Sequence, residues 1–134
     1  MKRKGSNKPK HLVAVYGTLR EGLHNHHLIK NAERILTQRI QGFVMHSMGQ
    51  FPAVRYGSED SFITVEVYHL NDAELKRCDA LEGHPDWYER TVIGSLDIGD
   101  GEQALEMYVM PEESVRGKLI IQSGDWVHHC TKGE

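Results

Sequence analysis

The stretch from Phe62 to Gly83 constrains this chain most, because an alternating strand pattern passes without a linker into a helix that is marked at both ends. Phe62 to Tyr68 is rich in β-formers, with Ile63, Val65 and Val67 on one face and Phe62, Thr64, Glu66 and Tyr68 on the other. Asn71 then reads as an N-cap, Glu74 completes a capping box, Asp72 adds negative charge to the first turn, and Gly83 is a C-terminal stop. Leu75, Cys78 and Leu81 fall on one helical face.

Glu82 lies on the flank of that stripe, four residues after Cys78 and in the last turn. A carboxylate there is unfavourable twice over: the terminal carbonyls repel negative charge, and an apolar setting penalises ionisation. The placement predicts a half-buried carboxyl group with a raised pKa. The alternative is a solvated glutamate on a frayed helix end.

Elsewhere, Leu12 to Tyr16 is a compact apolar run that reads as a buried strand ending in Gly17. A loop bounded by Gly17 and Gly22 follows, with a helix expected from about Asn25 that carries Leu28, Ile29 and Ala32. Ile35 to Met45 suggests extended structure around Ile40, Phe43 and Val44, and Phe51 to Val54 is a further short segment. Tyr88 to Ile98 and Ala104 to Met110 read as a hairpin about the Gly99-Asp100-Gly101 turn. Several strands with two helices give an α+β or mixed α/β domain with a strongly curved or closed sheet.

At 134 residues the chain is long enough for one core. Residues 1–10 are expected to be a basic, disordered tail and residues 11–134 a single domain. Lys2, Arg3, Lys4, Lys8 and Lys10 leave 11 basic against 19 acidic residues in the rest, a body charge of −8 that repels phosphate backbones. Nucleic acid is therefore not the expected partner, although the tail alone could touch it. Cys78 and Cys130 form no disulfide framework, and no apolar run has the length of a membrane span or signal segment, so a reduced, cytoplasmic protein is expected.

Few residue groups suggest chemistry. His24, His26 and His27 cluster, as do His128 and His129, but neither set has metal-ligand spacing, and no metal is expected. Cys78 reads as core, and no serine sits in a nucleophile elbow. Glu82 remains as the general acid/base candidate. The loop after the first strand offers main-chain N–H groups for an anion, although a glycine after a strand is more often only a turn.

Two segments carry a more specific signal. Val15-Tyr16-Gly17-Thr18-Leu19-Arg20-Glu21-Gly22 with Asn25-His26, and Asp79-Ala80-Leu81-Glu82-Gly83 with Tyr88-Glu89-Arg90, resemble the paired motifs of the gamma-glutamylcyclotransferase-like (AIG2-like) family. Phe51 to Val54, Glu66 to Tyr68, Met107 to Val109 and Gly124-Asp125-Trp126 extend the resemblance over nearly everything after the tail. Cys78 stands where the family motif has leucine, a conservative apolar exchange.

The resemblance implies a small mixed α/β domain built on a β-barrel with flanking helices. It implies release of 5-oxoproline from a small gamma-glutamyl amine or peptide, without metal or organic cofactor. Glu82 would be the catalytic acid/base, and Tyr16, Gly17, Thr18 and Leu19 would hold the gamma-glutamyl group. Tyr108 is a further pocket candidate, its alternative a packed strand tyrosine. The leaving group would be chosen by loops at His46 to Tyr56 and His84 to Trp87, and no motif fixes an oligomeric state. A non-catalytic binding module of the same fold is the competing reading.

Overall fold

The chain was analysed as a computed structural model, which describes residues 8–99 and 101–132. Most of the expected tail, residues 1–7, lies outside them. Lys10 already belongs to the fold: its N–H donates to the Leu70 carbonyl at 2.8 Å, and its ammonium lies 3.0 Å from Asp72.

Among the described residues, seven strands and three α-helices follow one another as β1 (His11–Val15), β2 (Glu33–Gln41), β3 (Phe43–Ser47), β4 (Pro52–Tyr56), β5 (Phe62–Leu70), α1 (Asp72–Glu82), β6 (Glu89–Asp97), β7 (Glu102–Val109), α2 (Glu112–Val115) and α3 (Trp126–Lys132). Five strands form one sheet in the order β2-β5-β1-β7-β6. Its pairings are antiparallel except β1 with β7, which run parallel. This is the expected α+β class. The sheet does not close into a barrel: β3 leaves β2 at Gly42 and pairs with β4, so that ribbon forms a separate two-stranded sheet.

Burial explains the sequence patterns. β1 is central, and Leu12 to Val15 are buried because alternate residues enter different cores. Leu12 and Ala14 pack with Phe43, Met45, Val54, Ile63, Val65 and Trp126. Val13 and Val15 pack on the other side with Leu70, Leu75 and Cys78. Helix α1 has the capping box expected of it, with Asn71 Oδ1 accepting from the Glu74 N–H and Glu74 Oε1 accepting from the Asn71 N–H, each at 2.8 Å. Leu81, expected on the buried face, is exposed instead.

The helix expected near Asn25 shrinks to a single 3-10 turn over His26–Ile29. Asn25 does not cap it, because its side-chain amide donates to Thr18 Oγ1 at 2.8 Å. None of the described helices is long and apolar enough to cross a membrane.

Candidate active site

The parallel pairing of β1 and β7 brings their C-terminal ends to the same edge of the sheet, and the site lies there. Tyr16, directly after β1, is buried and donates its hydroxyl to the Tyr108 carbonyl near the end of β7 at 2.7 Å. Gly17 then passes so close to β4 that a Cβ would meet Pro52 Cγ at 2.8 Å and Cδ at 2.9 Å. No other residue fits without displacing the proline. The loop is shaped from within by an Arg20 N–H donating to the Gly17 carbonyl at 3.0 Å and by the Asn25 bond to Thr18. Among the described residues, no protein acceptor takes the N–H groups of Gly17, Thr18 or Leu19. Three main-chain donors are thus left for a ligand.

Helix α1 returns the chain to this edge. β5 runs antiparallel to β1, and its last residue, Leu70, faces His11 at the far end. The 11 residues of α1 then rise about 16 Å, close to the length of the five-residue β1 strand at about 3.3 Å per residue. Glu82 therefore ends up beside Tyr16. Gly83 closes the helix in a left-handed conformation, with its N–H donating to the Ala80 carbonyl at 3.3 Å.

The Glu82 carboxyl group is half-buried and, among the described residues, has no hydrogen-bond partner. Burial alone pushes its pKa up to about 7. The nearby phenols hold their protons: burial, reinforced at Tyr16 by Tyr88 and Glu82 and at Tyr88 by Glu82, raises both far above their usual range. The Cys78 thiol is pushed up to about 12, first by burial and then by Glu82, which leaves it unreactive.

One cavity of about 310 Å³ joins these groups; Glu82, Tyr16, Gly17, Thr18, Leu19 and Tyr108 all line it. Asn25, Phe51, Trp87 and Tyr88 line it too. Asn25 and Tyr88 had stood within the paired motifs, but a motif does not say which of its residues reach a cavity.

Two charge networks brace the walls. Arg20 Nε donates to Glu66 Oε2 at 2.9 Å and its Nη1 to Asp125 Oδ1 at 2.8 Å, while Glu66 also accepts from the Glu21 N–H and the Tyr68 hydroxyl. Burial works to raise the pKa of Glu66, but these donors outweigh it and hold the carboxyl below its usual range. On the other wall, Asp79 accepts two bonds from Arg90 and one from the Tyr108 hydroxyl at 2.6 Å, and Arg90 reaches Glu106 at 3.1 Å. Sequence reasoning gave no role to Arg20, Glu66, Asp125, Asp79 or Arg90, whose partners are distant in the chain. No three described His, Cys, Asp or Glu side chains are grouped to hold a metal.

Residues 13–128 match the sequence family described as gamma-glutamyl cyclotransferase, AIG2-like. The chain belongs to that family. Among other members of the gamma-glutamyl cyclotransferase family, it is 33% identical over 115 residues to a Methanocaldococcus jannaschii protein bearing a provisional gamma-glutamylcyclotransferase name, a match covering 85% of this chain and 93% of that protein. It is 30% identical over 115 residues to the gamma-glutamylcyclotransferase family protein YtfP of Escherichia coli, covering 86% and 95% of the two chains. The YtfP solution structure superimposes with a TM-score of 0.61 over 89% of this chain and 98% of that one, at 28% identity. An uncharacterised Pyrococcus horikoshii protein has a TM-score of 0.68 at 26% identity, over 92% of this chain and 96% of that one.

Proposed function

We propose that this chain is a cyclotransferase that releases 5-oxoproline from a small gamma-glutamyl amine or gamma-glutamyl peptide, with Glu82 as its acid/base. The observation that carries this reading is the shared cavity: it is lined both by Glu82, a carboxyl group with a pKa near 7 and no partner among the described residues, and by Gly17, Thr18 and Leu19, whose main-chain N–H groups have no protein acceptor among those residues.

The chemistry follows from that pairing. The N–H groups of Gly17, Thr18 and Leu19 hold the substrate's α-carboxylate and keep its chain folded, so that the α-nitrogen lies near the γ-carbonyl carbon. Glu82 accepts a proton from the α-ammonium. The freed amine attacks the γ-carbonyl and forms a five-membered tetrahedral adduct. When the adduct collapses, the bond from the γ-carbon to the departing nitrogen breaks, and that nitrogen takes up one proton from Glu82 and the second proton shed by the α-nitrogen. The products are the lactam and the departing amine as its ammonium ion, and Glu82 is again a carboxylate. A group that gives and takes protons in one cycle works best with a pKa near the working pH. The two unpaired cysteines suit a reducing, cytoplasmic setting.

The test is to incubate the purified protein with gamma-glutamyl amines and gamma-glutamyl amino acids and to quantify 5-oxoproline. Release by the wild type and its loss in Glu82→Gln are expected. No release from any compound, or full release by the variant, returns the chain to a non-catalytic binding role.

A further inference from the structure

The phenols on the cavity wall have already committed their protons. Tyr16 donates its hydroxyl to the Tyr108 carbonyl at 2.7 Å, Tyr88 to the Pro52 carbonyl at 2.8 Å and Tyr108 to Asp79 Oδ1 at 2.6 Å. None of these acceptors has a proton to give back. Two are main-chain carbonyls, and Asp79, although burial opposes it, is held ionised by Arg90 and Tyr108. A phenol that donates into the protein has only oxygen lone pairs left for a ligand, and donating makes it a better acceptor.

Donors come from other parts of the wall. Besides the N–H groups after β1, His24, Gln50 and Trp87 line the cavity with side-chain nitrogens of their own. The head of a gamma-glutamyl compound carries a carboxylate, which needs donors, and an ammonium, which needs acceptors, on one carbon atom. The wall offers both kinds of partner, and one phenol lies between the two groups that the mechanism uses.

That phenol is Tyr88. Its main-chain N–H donates to the Glu82 carbonyl at 3.3 Å, which fixes it beside the acid/base, and the ring is buried. Its hydroxyl reaches across to Pro52, the residue whose ring leaves no room for a side chain at Gly17. The Tyr88 ring therefore spans from the end of α1 to the strand that packs against the loop after β1. The charge of Glu82 also acts on its hydroxyl. An α-carbon whose carboxylate sits on the loop and whose nitrogen faces Glu82 has this oxygen for a neighbour.

We infer that Tyr88 is a substrate-binding residue: its oxygen, with its own proton held by the Pro52 carbonyl, accepts a hydrogen bond from the substrate's α-ammonium and fixes the attacking nitrogen beside Glu82. This rests on the cyclotransferase reading and adds a second acceptor to it. When Glu82 takes one proton from the nitrogen, the bond to Tyr88 remains and holds the amine in place for attack.

Gamma-glutamyl methylamide and glutaric acid monomethylamide share the carboxylate and the amide and differ by the α-ammonium, so the pair tests this role. Tyr88→Phe removes only the phenol oxygen. It is expected to lower kcat/KM for gamma-glutamyl methylamide by about tenfold to a hundredfold, while the inhibition constant of the monomethylamide, which cannot cyclise, changes by less than about twofold. Unchanged turnover, or equal weakening of both compounds, overturns the inference. The wild type alone provides a second check that needs no variant to fold: it is expected to bind gamma-glutamyl methylamide at least about tenfold more tightly than the monomethylamide, and equal binding overturns the inference. If the wild type releases no 5-oxoproline, the cyclotransferase reading fails separately. Calorimetric titration of both compounds then decides the role of Tyr88: a loss in Tyr88→Phe confined to the ammonium-bearing compound sustains it, and equal changes or no binding overturn it.

Discussion

Nε of Arg20 lies 2.9 Å from Oε2 of Glu66, and both side chains are buried. The pair ties the loop that carries Gly17, Thr18 and Leu19 to the middle of β5. Arg20→Leu leaves a buried carboxylate without its counterion, and a loss of about 3 to 5 kcal/mol is expected in urea unfolding at pH 7. Glu66 is held below its usual pKa, so its contribution is present at neutral pH and is lost as pH falls through the folded-state value. The difference between wild type and variant should therefore shrink in acid.

Glu82 has the opposite sign. Its folded pKa, about 7, lies above the ordinary 4.5, so the folded state holds its proton more tightly and loses stability as pH rises between those values. The cost of ionising it amounts to about 3 kcal/mol at most. Glu82→Gln is expected to melt several degrees above the wild type at pH 8 and to match it near pH 4, as thermal unfolding at the two pH values would show. A variant without that pH-dependent gain contradicts the burial of this group.

Activity should carry the same ionisation. In the proposed mechanism the carboxylate form of Glu82 is the base, so kcat/KM for a gamma-glutamyl amine is expected to rise about tenfold per pH unit below pH 7 and to level off above it. In Glu82→Gln that limb disappears along with about a thousandfold of the rate. A rising limb centred near pH 4.5 would mean that the group is solvated during turnover.

Gly17 is tested by its smallest possible enlargement. An added methyl meets ring carbons of Pro52 at 2.8 and 2.9 Å, so Gly17→Ala must push the loop and β4 apart. A loss of about 1 to 3 kcal/mol is expected in denaturant unfolding, with a raised KM because the three N–H groups shift together.

What could be read from the sequence was what short stretches decide alone. Asn71, Glu74 and Gly83 act within their own turn or cap, and the helix they bound is the one observed. Leu12 to Val15 form a continuous apolar run because β1 is covered on both faces. Helix α3 went unrecognised because its polar His128-His129-Cys130-Thr131 run shows no apolar period, and only Trp126 of that helix is fully buried. The barrel failed as an expectation because closure depends on where β3 pairs, a choice its own residues do not encode. Glu82 was legible through its clash with helix physics and its motif. Arg20 was not, because its partners lie 46 and 105 residues away in sequence.

The parallel pairing of β1 and β7 also separates the molecule into a working end and a free end. The turn that joins β6 to β7 lies at the start of β7, whereas Tyr108 and the cavity lie at its finish. A label, surface tether or inserted peptide placed in that turn would sit a full strand away from the cavity mouth. Immobilised or reporter-bearing forms of the protein can be built there with the entrance left open to substrate.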